Sequence, residues 1–168
     1  SAGVFLAVNR TASNVLAGYR RESPFARHWC ATRRRVSAVS GACLAIEAHK
    51  FASVGGWDEA FAVSHNEIDL CLRLERAGLV TLFTPHACVV HAEGGTRGYE
   101  LTGGERQRLE REEALFRARW GEVLARPDPA HNPNLAQAGD PFGLGPSFAP
   151  RRERAGWRPE ESRAVARG

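Results

Sequence analysis

An α/β layered domain is the fold class this sequence predicts, on three observations. Apolar residues alternate at residues 36–46 and 79–91, the two-residue period of strands, and the short run at residues 3–8 reads as one more strand. Helical period takes over at residues 47–54, 64–76 and 102–124, and the last two segments open on an S/T-x-x-E capping pattern. Strand, helix, strand, helix with no internal repeat is the order of a layered α/β domain. The 168 residues suffice for one domain with its own core.

Residues 1–35 are weakly patterned beyond the first short strand. Residues 17–35 mix Arg, Pro, aromatics and His as an irregular excursion does, and Arg33-Arg34-Arg35 reads as a solvated turn. Over residues 36–46, Val36, Ala38, Ser40, Ala42, Leu44 and Ile46 share one face, which predicts a strand, a turn or bulge at Gly41, and a second strand. A short helix over 47–54 is stopped by Gly55-Gly56.

Ser64-His65-Asn66-Glu67 has the form of a capping box, so a helix should begin there, run to Arg76 and end at Gly78. At about 100° per residue, Asp69, Arg73 and Arg76 share a face, with Asp69–Arg73 an i,i+4 ion pair, and Glu67 points ~160° away from Asp69. Ile68, Leu70, Cys71, Leu72 and Leu74 make the rest almost continuously apolar. Such a helix is largely buried and its first turn is held rigidly, which suits a catalytic group.

Residues 79–84 and 87–91 read as strands around Pro85. Alternation puts His86, Cys88 and Val90 on one side and Ala87, Val89 and His91 on the other, which argues against a zinc site built from His86, Cys88 and His91. Thr102-Gly103-Gly104-Glu105 opens a second capped helix whose packing stripe is Leu109, Phe116, Trp120 and Val123. From Arg126 onward Pro, Gly and Asn erase any period. The expected division is therefore a folded part over residues 1–125 and, over 126–168, an arm that wraps the body to about residue 144 before a disordered basic tail.

Composition narrows the function classes. Hydrophobic residues at 43% and charged residues at 25% are ordinary for a globular protein. No apolar run approaches the roughly 20 residues of a membrane helix, and residues 1–16 lack the form of a signal peptide. The net charge is +4, but residues 151–168 hold six Arg against three Glu, so +3 of it sits in that tail. The body is nearly neutral, which argues against a nucleic-acid partner. Four scattered cysteines without a C-x-x-C pair fit a reduced, cytoplasmic chain. The first residue is Ser rather than Met, as in a fragment or a processed chain.

Residues 36–98 gather acids, a histidine, an indole and an arginine around three loops. They include Ser40-Gly41-Ala42-Cys43, Gly55-Gly56-Trp57-Asp58-Glu59 and Asn66-Glu67-Ile68-Asp69-Leu70-Cys71-Leu72-Arg73, followed by Gly78, Pro85, His91 and Thr96-Arg97-Gly98. In order and spacing this set resembles the C-terminal, acceptor-side half of a family 2 glycosyltransferase with the GT-A fold. Arg119-Trp120-Gly121 and residues 128–135 are similar to a tail in bacterial members that build O-antigen and rhamnan-type polysaccharides. The resemblance covers residues 36–144. It implies the C-terminal part of a GT-A fold, with a mixed sheet flanked by helices.

The resemblance implies an inverting enzyme that moves a sugar from a nucleotide-sugar donor to a saccharide acceptor in cell-surface polysaccharide synthesis. It makes Glu67 the catalytic base, where the family usually has Asp; the competing role for Glu67 is the capping box with Ser64. Gly41, Trp57, Asp58, Asn66 and Arg97 are implied at the substrate. Trp57 would stack on the acceptor and Asp58 would hold its hydroxyls, unless the indole is core filler that needs a partner for its N–H. Arg97 would clamp phosphate, unless it is a solvated loop residue. Asp69 and Arg73 read as structural neighbours of the site. His91 would join a Mg²⁺ or Mn²⁺ site or contact the diphosphate, unless it is a hydrogen-bonded structural residue. The four Asp (58, 69, 128 and 140) contain no D-x-D pair, and the family's nucleotide-binding half has no counterpart here. The chain is therefore expected to be part of an enzyme, inactive alone, cytoplasmic, and peripheral to the membrane where it meets one. A non-catalytic binding or scaffold module derived from such an enzyme is the alternative reading.

Overall fold

In the computed structural model, which describes residues 1–91 and 102–145, strand β1 (Val4–Leu6) lies between two apolar clusters. Val4 and Leu6 point into the main core beside Ala38, Phe61, Ile68, Cys71, Leu72, Phe116 and Trp120. Phe5 faces the other way, into a second cluster with Ala2, Val8 and Val15. A strand covered on both faces reads as an unbroken apolar run, which is why Val-Phe-Leu shows no alternation.

β1 pairs antiparallel with β2 (Ala12–Asn14), in the register Val4–Asn14, Phe5–Ser13 and Leu6–Ala12. β3 (Arg34–Val36) pairs antiparallel with β4 (Thr81–Phe83), Arg34 facing Phe83 and Val36 facing Thr81. The Val4 N–H donates to Ala38 O at 2.8 Å and joins β1 to the segment leaving β3. Among the described residues four helices complete the order: α1 (Pro24–Trp29), α2 (Ala48–Ser53), α3 (Asn66–Arg76) and α4 (Gly103–Leu124). The chain is thus mixed α/β. Both named sheets have two antiparallel strands, so the expected mixed sheet is corrected for the described residues.

Several local expectations change. α1 forms inside the stretch expected to be irregular, where Ser23 accepts from the Ala26 N–H and Pro24 takes the first helical position. Arg34 and Arg35 are strand rather than turn. Arg35 reaches Glu75 at 2.8 Å and Arg34 lies 4.2 Å over the Trp29 ring, so both charges sit at the rim while their backbone pairs. The strand expected over residues 36–46 ends at Val36, and Gly41–Cys43 is a 3-10 turn. The Ser40 hydroxyl accepts from the Ala42 N–H at 3.4 Å, a local bond that competes with a ladder. Residues 87–91 form no strand and are exposed. Arg97 and residues 146–168, with the expected tail, lie outside the described residues.

The start of α4 and the C-terminal ends of α2 and α3 are as the sequence spelled them. Thr102 and Glu105 cap α4 reciprocally. Gly78, at φ +81°, closes α3, with the Leu79 N–H returning to Leu74 O at 3.0 Å. Gly56 ends α2 at φ +71°, and a Cβ there would meet the Phe51 ring at 3.1 Å.

The arm after α4 is pinned by Asp128. Its carboxylate is buried and accepts from the Leu6 N–H at 2.5 Å, the Ser37 hydroxyl at 2.6 Å and the Ala130 N–H at 2.7 Å. His131 then packs on Phe5, and Phe142 on Trp29. Removing a buried carboxylate leaves the Leu6 N–H without its acceptor, a cost of about 1–3 kcal/mol for each orphaned group. Asp128→Ala should therefore lower the unfolding free energy in urea by about 3 kcal/mol; an unchanged midpoint would show that the arm is not fastened there.

Candidate active site

α3 begins where the chain turns sharply. His65 occupies its N-cap in the left-handed region at φ 64°, and the expected capping box is absent. A non-glycine residue at that φ must be held from outside. The ring does the holding: His65 Nε2 lies 3.1 Å from Thr11 Oγ1, Nδ1 meets the Ser64 hydroxyl, and the imidazole stacks on Phe116 at 4.6 Å. Ser64, expected to cap the helix, is spent on His65, while its N–H and that of Val63 donate to Glu112 at 2.6 and 3.4 Å. Asn66 Oδ1 accepts from the Glu67 N–H at 2.9 Å.

Freed from capping, the Glu67 carboxylate takes no hydrogen bond or ion pair among the described residues and is only half-buried. Its side chain lies over the Gly41 turn. A Cβ at Gly41 would lie 3.5 Å from Glu67 Cβ and 3.8 Å from Cδ, in ordinary van der Waals contact, so the turn packs directly against this side chain. Gly41 and Glu67 are brought together across 26 residues of sequence.

Asp69, two residues on, has the opposite environment. It is fully buried, with Oδ2 accepting from Arg73 Nε at 2.7 Å and Oδ1 from Arg119 Nη1 at 2.9 Å and Trp120 Nε1 at 3.0 Å. The expected Asp69–Arg73 pair forms, and Arg73 also donates to Val54 O at 2.5 Å, which ties α3 to the end of α2. Arg76, on the same face, covers the Trp120 ring at 4.0 Å.

The turn after α2 carries Trp57 and Asp58. Trp57 is 45% exposed, with its ring edge-on to Phe51 at 5.6 Å, so it is not core filler. Asp58 accepts from Arg119 Nη1 at 2.6 Å and from the Ala60 N–H at 2.9 Å. The Ala60 amide and the Arg119 guanidinium together hold its carboxyl below the usual carboxylate range.

α4 supplies the partners of these residues: Phe116 and Trp120 from the expected packing stripe, and Glu112 and Arg119 in addition. Glu112, Phe116, Arg119 and Trp120 fall on one face at i, i+4, i+7 and i+8. They hold, in turn, the loop before α3, the His65 ring, the Asp58–Asp69 pair and Asp69 again. A glutamate on an otherwise apolar stripe was the readable signal for Glu112; for Arg119 it was the Arg119-Trp120-Gly121 likeness, which did not reveal its partners.

A cleft of about 1240 Å³ opens on the other side of the Gly41 turn. Ser40, Ala42 and Cys43 line it together with Leu44, Phe83 and His91, but Glu67 and Trp57 do not. The structure therefore brings Glu67 to Gly41, and Asp58 to Asp69 through Arg119, and none of these four residues lines this cleft. His91 is exposed, and Arg97 lies outside the described residues. No group of three His, Cys, Asp or Glu among the described residues is arranged to hold a metal ion, so this donor set does not by itself fit Mg²⁺ or Mn²⁺. No helix among the described residues is long and apolar enough to cross a membrane.

Comparison with known proteins gives partial matches. The chain is 41% identical over 113 residues to an uncharacterized protein, y4gI, of Sinorhizobium fredii, a match covering 67% of this chain and 12% of that protein. It is 34% identical over 67 residues to the N-acetylglucosaminyl-diphospho-decaprenol L-rhamnosyltransferase of Mycobacterium tuberculosis, covering 40% of this chain and 22% of the relative. It is 31% identical over 107 residues to the O-antigen biosynthesis protein RfbC of Myxococcus xanthus, covering 64% of this chain and 8% of the relative. The chain spans less than a quarter of the length of these relatives. No family model and no solved structure matches it. At a coarse level the chain is thus similar to proteins of glycosyl transfer and O-antigen synthesis.

Burial pushes the His65 imidazole below its ordinary value of 6.5, against the opposing pull of Glu113, Glu67 and Glu112. The unfolded chain therefore takes up the proton first. Stability is complete above the unfolded value and is lost as the pH falls from about 6.5 towards the lower folded value. The Asp58 contribution is lost only below the ordinary value of 3.8. Chemical denaturation between pH 7.5 and 5 should show falling stability, and His65→Asn, which tolerates the left-handed backbone, should flatten that slope. An identical slope in the variant would remove His65 from the titration.

Proposed function

We propose that this chain is the acceptor-binding, base-carrying part of an inverting glycosyltransferase with a GT-A fold, acting in cell-surface polysaccharide synthesis. The observation that carries the reading is the contrast between the two acids of α3. Asp69 is sealed in protein and fully bonded, whereas Glu67 sits at the helix mouth, half-buried and without a protein partner among the described residues. A carboxylate fixed by its backbone yet free at its oxygens is what general-base chemistry requires. The partial likeness to a rhamnosyltransferase supports the same reading.

In the proposed reaction Glu67 accepts the proton of an acceptor hydroxyl as that oxygen attacks the anomeric carbon of a nucleotide sugar. The new C–O bond forms as the bond to the diphosphate breaks, the electron pair leaving with the nucleoside diphosphate, and attack from the opposite face inverts the anomeric centre. Trp57 offers its exposed ring to the apolar face of the acceptor. Gly41 keeps the turn beneath Glu67 clear of a side chain, and Asn66 steadies the first helical amide. Donor-side groups, including any divalent cation, must come largely from the rest of the longer protein. His91 alone does not make a metal site. Work on a nucleotide sugar and a lipid- or polymer-borne acceptor would place the protein in the cytoplasm, at the membrane surface.

The test is transfer by the full-length protein, screened with sugar nucleotides, nucleotide-activated L-rhamnose among them, with and without Mn²⁺. Glu67→Gln should lower kcat by about 10²–10⁴-fold with its circular dichroism and melting temperature unchanged. Glu67→Asp, which keeps the carboxylate, should retain far more activity. Near-normal turnover by Glu67→Gln would remove this residue from the mechanism, and binding of saccharide without any turnover would favour a non-catalytic module.

A further inference from the structure

We infer that Arg119 is a positioning residue that sets the Trp57 turn against the start of α3, acting through Asp58. The inference rests on the proposed roles of Trp57 and Glu67. A single nitrogen, Arg119 Nη1, makes both bonds: 2.6 Å to Asp58 Oδ2 and 2.9 Å to Asp69 Oδ1. One carboxylate belongs to the turn that presents the indole, and the other lies two residues beyond Glu67. The guanidinium also lies 5.0 Å over the Phe61 ring, at the end of the same turn.

The buried Phe61 ring, 6.2 Å from Phe116, seats the far end of the turn in the core, and the stretch between Gly55 and Ala60 has little else to order it. Gly55 and Gly56 enter it at φ +80° and +71°, and the indole contributes one edge-on contact with Phe51. Asp58 ties it together, its carboxylate accepting from Ala60 and its carbonyl from the Phe61 N–H at 3.0 Å. Both α3 and α4 keep their own anchors. Asp69 retains Arg73 and Trp120, while Phe116 and Trp120 hold α4 in the core. Truncating Arg119 therefore frees the turn without loosening the helices, and Asp58 serves as the handle of the turn rather than as a saccharide ligand.

Because one nitrogen rather than a bidentate fork serves both acids, a lysine, though one atom shorter, keeps a cation beside them where an apolar side chain cannot. Hydrogen exchange on the chain should show the Ala60 and Phe61 amides exchanging about tenfold faster in Arg119→Met. The α3 amides should be unchanged, and Arg119→Lys should lie close to the parent. In the full-length protein, with nucleotide-activated L-rhamnose and N-acetylglucosaminyl-diphospho-decaprenol as probes, Arg119→Met should raise the acceptor KM about tenfold. Its kcat should stay within about twofold, and Arg119→Lys should restore KM. Unchanged Ala60 and Phe61 exchange, faster exchange throughout α3, or no rescue by lysine each overturns the inference. Failure of the unmodified protein to turn over these probes counts against the functional reading instead, and the exchange result still decides whether Arg119 clamps the turn.

Discussion

The buried carboxylate of Asp69 is the constraint on which the rest of the site depends. A charge with no exposure is tolerated only when paired and hydrogen-bonded, because an uncompensated one costs several kcal/mol. Asp69 meets that requirement with three donors from two helices: Arg73 on α3, and Arg119 and Trp120 on α4. The pairing therefore fixes how α4 lies along α3. It also draws in Asp58 through Arg119 and the end of α2 through Arg73. Apolar residues on the same helices supply the bulk of the burial, but Ile68, Cys71, Phe116 and Trp120 alone would tolerate other rotations of one helix on the other.

With α4 fixed, the loop before α3 has only one course. Glu112 captures the amides of Val63 and Ser64, and Phe116 stacks on the His65 ring, which holds the histidine in a left-handed conformation at the helix mouth. That geometry displaces the capping bond between Ser64 and the next turn, and so leaves Glu67 without a protein partner among the described residues. The strain at His65 and the free acid at Glu67 are two sides of one arrangement. A standard cap would have relieved the first and consumed the second.

How much of this was legible in the sequence follows from the range of the interactions. The ends of α2, α3 and α4 depend on glycines and caps within a few residues, and Gly56, Gly78 and the Thr102–Glu105 pair could be read directly. The Asp69–Arg73 pair is an i,i+4 contact and was equally readable. What failed depended on distant partners. Ser64 fits a capping box, yet Glu112, 48 residues away, takes its N–H. Residues 87–91 alternate like a strand but have no neighbour to pair with among the described residues. Arg34 and Arg35 looked like a solvated turn because their strand character comes from β4, not from their side chains. In the site, Glu67, Gly41 and Trp57 could be singled out from the motif order. Arg119 stood out only within the Arg119-Trp120-Gly121 likeness, and its role could not be read, because its partners are two carboxylates 61 and 50 residues away.

The central claim is that Glu67 is aimed at a carbohydrate oxygen. The most direct measurement is a crystal structure of the full-length protein with a nucleoside diphosphate and its saccharide acceptor bound. The account predicts one Glu67 carboxylate oxygen about 2.6–3.2 Å from an acceptor hydroxyl, with that hydroxyl facing the diphosphate. An acceptor bound away from the mouth of α3, with Glu67 turned back onto the protein, would contradict it.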